Sequence, residues 1–268
     1  MARQYHRKTT PRILVTNAKG GSGKTTLTTN LAAHYAHSRD VTIMDFDSQQ
    51  SSTSWLTLRP NNLNTIGIHS GFKPNHMNQT RSWQLRSSIE SDLIILDTPA
   101  AMPDFALEEV VCCSDIILIP VLPSMIDIKA VEQFIYHLLQ TRAYRQNPIP
   151  VGIVANRVRR NTKIFGTLSQ FLKSLQLPVI SVIRDTQQYI KAFEQGMGVM
   201  ELERINASDT RSMHLIIDWI DQHLNGQPSE YPSTNQPVTE QEKSFMSEHK
   251  TSSLSDAAST LVKSIALK

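Results

Sequence analysis

Apolar residues recur along this chain in short runs, separated by amphipathic segments of helical length. The runs are predicted strands at residues 12–17, 41–46, 92–98, 115–121, 149–156 and 178–183. Most of them are continuously apolar, which is typical of parallel strands covered by helices on both faces. The intervening segments predict helices at residues 24–37, 104–112, 127–144, 163–175, 187–195 and 208–224. The pattern therefore predicts an α/β fold with a doubly wound, mostly parallel sheet.

The polarity pattern changes after residue 225. Residues 226–252 are rich in Pro, Ser, Thr, Gln and Glu. Such a composition buries too little apolar surface to offset the entropy of ordering, so we predict a linker. Residues 253–267 recover a helical apolar period and predict a short terminal amphipathic helix. We therefore expect one folded domain over residues 1–225, followed by a polar linker and terminal helix over 226–268.

Composition and charge narrow the possibilities further. The 268 residues carry a net charge of +3, which permits an anionic partner without requiring one. The longest apolar runs are strand-sized, and the apolar stretch after the basic N-terminus is too short for a signal peptide, so we expect a cytoplasmic protein without a membrane span. Cys112 and Cys113 are adjacent and unsuited to an ordinary disulfide, and we expect buried thiols.

The segment NAKGGSGKTT, residues 17–26, lies between a predicted strand and a predicted helix. In this context a glycine-rich pattern predicts a phosphate-binding loop, because backbone N–H groups and the helix dipole face the anion. Lys24 is expected to reach the β- and γ-phosphate oxygens, and the Thr25 hydroxyl to ligate Mg²⁺. The residues predicted to bind nucleotide are Gly20, Gly21, Ser22, Gly23, Lys24, Thr25 and Thr26.

Carboxylates follow two of the predicted strands. Asp97 ends one strand at the edge where α/β sheets bind ligands, and it suits Mg²⁺, although it could instead cap the next helix. Asp45 and Asp47 end another strand, and two carboxylates beside a triphosphate require an intervening metal ion or water. We assign Asp45 to the metal and Asp47 to orienting the attacking water, with a turn-capping role as the alternative for Asp47.

Four ordered motifs, KGGSGKTT, DFDSQQ, LIILDTP and IPVLPSMIDIKAV, together resemble the ParA/MinD family of deviant Walker ATPases over roughly residues 11–222. The segments DFDSQQSSTSW and VIRDTQQYIKAFEQGMGVMEL resemble the DNA-partitioning ParA branch more closely than MinD. Ser48 stands where that branch usually has proline. This departure loosens the segment but leaves both carboxylates in place.

The resemblance implies roles for residues that the pattern alone does not explain. Lys19 reaches across a nucleotide-sandwich homodimer to the phosphates bound by the partner subunit, as a cation supplied in trans. Asn156, at the end of a predicted strand, contacts adenine, although such residues also cap turns. Asp127 lies near the site without an assigned role, and helix capping is the alternative.

A basic cluster lies between a predicted strand and the following helix, and consists of Arg157, Arg159, Arg160 and Lys163. Such a cluster can pair with DNA phosphates without reading bases. A solvated basic face is the alternative. We predict a nonspecific DNA-binding surface.

The resemblance implies an ATPase that uses ATP and Mg²⁺, forms an ATP-dependent homodimer and binds nucleoid DNA nonspecifically. A ParB-like or cargo-adaptor protein would stimulate hydrolysis, so that a plasmid, chromosome or other cargo is segregated or positioned. A MinD-like membrane-cycling ATPase is the alternative. It is disfavoured because the terminal segment has only Lys263 and Lys268 as basic residues and no aromatic residue. Lys19 disfavours a metabolic ATP-dependent enzyme on the same fold.

Overall fold

The computed structural model describes residues 10–71, 90–159, 162–175 and 177–225. The strands in these ranges are β1 (Arg12–Val15), β2 (Val41–Asp45), β3 (Gly67–Ser70), β4 (Leu93–Asp97), β5 (Ile116–Val121), β6 (Val151–Val158) and β7 (Val179–Arg184). They form one parallel sheet in the order β3-β2-β4-β1-β5-β6-β7. The predicted linker, the predicted terminal helix and Arg160 lie outside the described residues.

Helices connect the strands. They are α1 (Lys24–Tyr35), α2 (Ser51–Thr57), α3 (Asp104–Cys112), α4 (Met125–Gln140), α5 (Arg142–Gln146), α6 (Lys163–Ser174), α7 (Gln188–Glu194) and α8 (Ala207–Asn225), with a 3₁₀ helix at Val199–Glu201. The helix predicted at 127–144 is in fact two, α4 and α5. They are divided at Thr141, whose ψ of 143° ends α4 and whose hydroxyl caps α5 by accepting the Tyr144 N–H. The sequence did not predict α2, β3 or the 3₁₀ helix.

Alternate residues of the central strands face two apolar layers. Leu14 and Leu96 pack in the core that includes Leu107 of α3. Ile13 and Val15 face the opposite core, beneath α1, α7 and α8. Because all four strand residues are fully buried, helices cover both faces of the sheet, and the predicted doubly wound fold is confirmed.

The carboxyl ends of the central strands meet at one edge of the sheet. β1 pairs with β4 on one side and β5 on the other, with Val15 aligned to Asp97 and to Leu118. Asp45 at the end of β2 is also aligned with Asp97. From β1 the chain continues to β2 on one side of the sheet, and after β4 it crosses to β5 on the other side of β1. This reversal leaves a crevice at the carboxyl edge, where α/β proteins bind ligands.

Two sequence expectations concern the rest of the molecule. Cys112 is exposed at the end of α3, so the prediction that both thiols are buried was wrong for this residue. Val110 and Val111 occupy the core-facing positions of the last turn, and Cys113 is half-buried. Within the described ranges, no helix has both the length and the apolar character that crossing a bilayer demands.

Candidate functional site

The loop that joins β1 to α1 is fixed by Asn17 at its start. The Asn17 side chain donates from Nδ2 to the Pro120 carbonyl oxygen at 2.7 Å and accepts the Lys19 N–H at 3.1 Å. Gly21 and Gly23 adopt φ values of 74° and 98°, which glycine reaches without steric cost. The loop ends in the first turn of α1, whose N–H groups are available to an anion.

A side chain from β6 braces the same loop. Asn156 is buried, and its Nδ2 donates to the Ser22 carbonyl oxygen at 2.8 Å while its Oδ1 accepts the Arg157 N–H at 2.9 Å. A Cβ on Gly23 would lie 2.0 Å from Asn156 Nδ2. Asn156 therefore holds the phosphate-binding loop, a role that sequence reasoning missed, and its contact with adenine stays a prediction.

Two lysines belong to this loop. Lys24 is buried, and its Nζ donates to the Lys19 carbonyl oxygen at 3.2 Å. Burial lowers the pKa of Lys24, while the nearby charges of Asp97 and Asp47 oppose that change. Lys19 is only partly buried, so its side chain retains access to solvent.

Asp97 is fully buried beside the loop and accepts a 2.5 Å hydrogen bond from Ser52 Oγ on its Oδ2. Burial raises the pKa of Asp97 to about 7. The hydroxyls of Ser52 and Thr25 and the Lys24 charge oppose this rise, and Asp45 adds to it. Oδ1 of Asp97 is buried and accepts no well-formed hydrogen bond from the part of the chain that the structure describes. Oδ1 of the Asp97 carboxyl group can therefore accept a further partner next to the loop, where the Thr25 hydroxyl also lies.

Asp45 and Asp47 organise the segment that leads into α2. Asp45 accepts the Asp47 N–H at 3.0 Å on Oδ1, and on Oδ2 it accepts the Thr53 N–H and hydroxyl at 3.1 and 2.9 Å. Burial raises the pKa of Asp45, and the two Thr53 hydrogen bonds oppose this rise. Asp47 Oδ1 accepts the Gln49 N–H at 3.0 Å. One oxygen of Asp47 therefore has the turn-capping role that the sequence left open.

Asp127 lies in the first turn of α4. Its N–H donates to the Ser124 hydroxyl oxygen at 3.2 Å, and that hydroxyl donates to the Asp127 carboxylate. The serine hydroxyl thereby caps one of the free N–H groups at the start of the helix. Helix capping accounts for the N–H and one oxygen of Asp127, while its buried Oδ1 accepts no hydrogen bond from the described residues.

Ser52 and Thr53 of α2 are site residues that the sequence analysis missed. They contact Asp97 and Asp45 respectively, and Ser52 is fully buried. The signal was the run SSTS at residues 51–54, shortly after the two aspartates, which is rich in hydroxyl donors. Its polar composition gave no helical apolar pattern, so α2 was not predicted.

The basic cluster is exposed where the structure describes it. Arg157 is exposed and has a φ of 52°, and Lys163 is exposed at the start of α6. The Arg159 side chain is 78% exposed, and its Nε lies 2.7 Å from Asp185 Oδ2. Among the described residues, Arg159 therefore has an acidic partner, whereas Arg157 and Lys163 are exposed without one.

Comparison with known proteins places this geometry in a family. The model of the CobQ/CobB/MinD/ParA nucleotide binding domain matches residues 13–199. The chain belongs to this family. A relative from Gloeobacter kilaueensis, named maintenance of carboxysome distribution protein A, is 32% identical over 207 residues, or 75% of this chain and 90% of the relative. A relative of the same name from Halothiobacillus neapolitanus is 26% identical over 194 residues, or 71% and 87%.

The fold also matches solved structures. A plasmid partition protein from Borrelia burgdorferi B31, bound to AMPPNP, has a TM-score of 0.63 and 15% sequence identity. The match covers 80% of this chain and 99% of that one. The resemblance to the ParA/MinD family and the predicted fold class are thereby confirmed, and the nucleotide-binding character of the domain follows from its family.

Proposed function

We propose that this protein hydrolyses ATP and dimerises on ATP in order to position an intracellular cargo. The observation that carries the proposal is the pair Lys19 and Lys24 on one phosphate-binding loop, beside the buried Asp97. Lys24 suits the phosphates bound by its own subunit. Lys19 is an additional cation with solvent access, and it suits the phosphates of a second subunit, where it would stabilise charge during phosphoryl transfer.

The residues beside the loop fit Mg²⁺. The ion prefers oxygen ligands and is usually held by one or two carboxylates together with nucleotide phosphates. Oδ1 of Asp97 and the Thr25 hydroxyl provide such oxygens, and we assign the metal to these two residues. Asp45, also expected at the metal, already accepts three hydrogen bonds from its own segment. We therefore assign it to holding that segment in place beside the metal site. Bound there, Mg²⁺ would neutralise phosphate charge.

Asp47 is our candidate for orienting the attacking water. It is half-buried, and its negative charge opposes the lowering of the Lys24 pKa. One of its oxygens fixes the turn that follows β2. A turn held in this way keeps the carboxylate in one orientation, which is what positioning a water molecule requires. Its second oxygen would accept the hydrogen bond from the water.

The cargo and the surface on which it moves are the finer part of the proposal. The two curated relatives are named for the distribution of carboxysomes. We propose that this chain positions a comparable large body or a DNA molecule. The ATP dimer would bind nucleoid DNA through the exposed basic cluster, and a ParB-like or cargo-adaptor protein would stimulate hydrolysis and release. This cycle would make the protein cytoplasmic and nucleoid-associated.

The test is the oligomeric state as a function of nucleotide. Size-exclusion chromatography with light scattering should give a dimer with Mg²⁺ and a slowly hydrolysed ATP analogue, and a monomer with ADP. With ATP in place of the analogue, hydrolysis should release inorganic phosphate. Sedimentation with duplex DNA and with anionic liposomes separates this proposal from a membrane-cycling ATPase. A monomer in both nucleotides, or ATP-dependent binding to liposomes alone, would contradict it.

A further inference from the structure

We infer that Ser52 is a positioning residue for Asp97 at the magnesium–nucleotide site. Helix α2, which carries Ser52, is held at both ends and so keeps the serine hydroxyl in place. The inference rests on the proposed function, because it assigns Asp97 to Mg²⁺. Ser52 lies on α2, outside the phosphate-binding loop. The physical basis of the inference is that the loss of a group which orients a metal-binding side chain typically lowers metal affinity by about 10- to 100-fold.

The first turn of α2 contacts both carboxylates at the sheet edge. Ser52 and Asp97 are fully buried, and the short hydroxyl–carboxylate hydrogen bond between them fixes Oδ2. The next residue, Thr53, fixes Oδ2 of Asp45 on the neighbouring strand. With Oδ2 of Asp97 held by Ser52, only Oδ1 is left without a well-formed hydrogen bond from the described residues. The serine thereby determines which oxygen is offered to the site.

The other end of α2 is clamped to the segment between α7 and α8. Arg59, two residues beyond α2, makes a bidentate ion pair with Glu201 at 2.7 and 3.0 Å, and the side chains are only 4% and 3% exposed. Trp55 Nε1 donates to the Met197 carbonyl oxygen at 3.3 Å. Gly196 packs so closely that a Cβ there would lie 2.3 Å from the backbone nitrogen of Arg59. A buried bidentate pair of this kind restricts movement of the helix end.

The same segment is attached to α1. The Val199 N–H donates to Asn30 Oδ1 at 2.6 Å, and a Cβ on Gly198 would lie 2.6 Å from Ala33 Cβ. Since α1 begins at Lys24, contacts run from the phosphate-binding loop through α1, the 196–201 segment and α2 back to Asp97. These contacts fix the position of the Asp97 carboxyl group relative to Lys24, in addition to the pairing of β1 with β4 in the sheet.

The test measures ADP affinity by isothermal titration calorimetry, with Mg²⁺ and with EDTA. ADP avoids turnover and the ATP-dependent dimer. In Ser52→Ala and the nearly isosteric Ser52→Cys, a weak donor, the enhancement of ADP affinity by Mg²⁺ should fall by about 10- to 100-fold. The ADP affinity in EDTA should stay close to that of the parent protein, since no phosphate contact is removed. Ser54→Ala is the matched control, because that exposed hydroxyl donates to the Gln50 carbonyl oxygen.

Glu201→Gln tests the remote clamp. It should lower the Mg²⁺ enhancement in the same direction, and its effect should not add to that of Ser52→Ala, because both act through α2. Folded Ser52 variants that lose thermal stability but keep the full Mg²⁺ enhancement would overturn the inference, since Ser52 would then serve packing alone. A parent protein that binds no ADP would instead overturn the proposed function, and the inference with it.

Discussion

The side-chain amide of Asn156 lies directly against Gly23 of the phosphate-binding loop. It occupies the space that a Cβ at residue 23 would need, at 2.0 Å, and it donates to the preceding Ser22 carbonyl oxygen. Gly23 is therefore required for two reasons, its φ of 98° and the approach of Asn156. The loop is shaped by a residue more than a hundred positions away, as well as by its own glycines.

Gly23→Ala should impair folding or nucleotide binding more than Gly21→Ala. Both residues have positive φ, which costs an alanine roughly 1–2 kcal/mol. Only residue 23 meets Asn156, whereas a Cβ at residue 21 meets no atom within 4 Å. Urea unfolding and ADP titration would compare the two variants. Equal effects would show that Asn156 moves away at little cost, and that it does not brace the loop.

Lys19→Ala and Lys24→Ala should have different effects. Lys24→Ala removes the cation beside Asp97 and should weaken nucleotide binding itself by tenfold or more, roughly the value of one charge-assisted hydrogen bond. Lys19→Ala should keep nucleotide binding and lose ATP-dependent dimerisation and stimulated turnover, because only the contact to the second subunit is removed. Calorimetry and light scattering measure the two properties. A Lys19→Ala protein that dimerises normally would refute the role in trans.

Much of the fold was predictable because the buried strands are continuous apolar runs. β4 and β5 are buried over their whole length, so neither strand could be mistaken for a solvent-exposed segment. The edge strand β3 has an exposed and half-exposed pattern, and α2 starts within a serine-rich run. Their formation depends on partners distant in sequence, β2 for the strand and Asp97 for the helix. Local pattern carries little information about such elements.

In the site, too, the residues in local sequence motifs were predictable and those that act through long-range contacts were not. The phosphate-binding loop and its aspartates were predictable, because glycines, a lysine and strand-end carboxylates occupy short, ordered motifs. Ser52 and the loop-bracing hydrogen bonds of Asn156 were not, because each depends on a contact across the sheet edge. Whether Asp45 has an oxygen to spare for a metal also depends on Thr53, eight residues later.

The protonation of Asp97 should make the nucleotide-free protein less stable as pH rises. Burial raises the pKa of Asp97 to about 7 from its ordinary value of 3.8, so between these values the folded state binds a proton that the unfolded state has lost. The stabilisation is complete below about pH 4 and is lost as pH rises through 7. The free energy of unfolding of the parent protein, relative to Asp97→Asn, should fall by roughly 1 kcal/mol per pH unit between pH 5 and 7, because the folded carboxyl group is already half ionised at pH 7.

Urea unfolding in EDTA from pH 5 to 8 would measure this difference. Comparison with Asp97→Asn is needed because other groups titrate in the same range. Burial and neighbouring cations lower the pKa of His34 to about 4, and that residue contributes the opposite slope, since its stabilisation grows as pH rises. Its contribution cancels between the two proteins. A difference that is constant with pH would show that Asp97 is ionised throughout.

Asp47→Ala should separate nucleotide binding from hydrolysis. Because Asp47 is assigned to the attacking water, its loss should leave an ATP-bound dimer that accumulates, with turnover lowered by about a hundredfold or more, the lower end for a lost positioning or general-base contribution. Phosphate release and light scattering would be measured on the same sample. Normal hydrolysis would leave Asp47 with only its hydrogen bond to the Gln49 N–H.

The basic cluster should bind DNA through phosphates alone, and only in the dimer. One subunit offers few cations, whereas a two-fold dimer presents two clusters to the same duplex, and the second contact becomes intramolecular. Arg157→Ala with Lys163→Ala should therefore weaken binding to all duplex sequences alike. Each lost phosphate contact should reduce the slope of log affinity against log salt by about 0.9.

Asp185→Ala gives the matched test in the opposite direction. Asp185 holds the Arg159 guanidinium at 2.7 Å, so its removal frees a cation that is already 78% exposed. DNA affinity should rise and the salt slope should steepen, while ATP-driven dimerisation is unchanged, because none of these residues lies on the phosphate-binding loop. Fluorescence anisotropy of a labelled duplex, across a salt series with ATP and with ADP, measures both variants beside the parent protein. Affinity that ignores nucleotide, or an Asp185→Ala variant that binds like the parent protein, would show that DNA does not bind at this cluster.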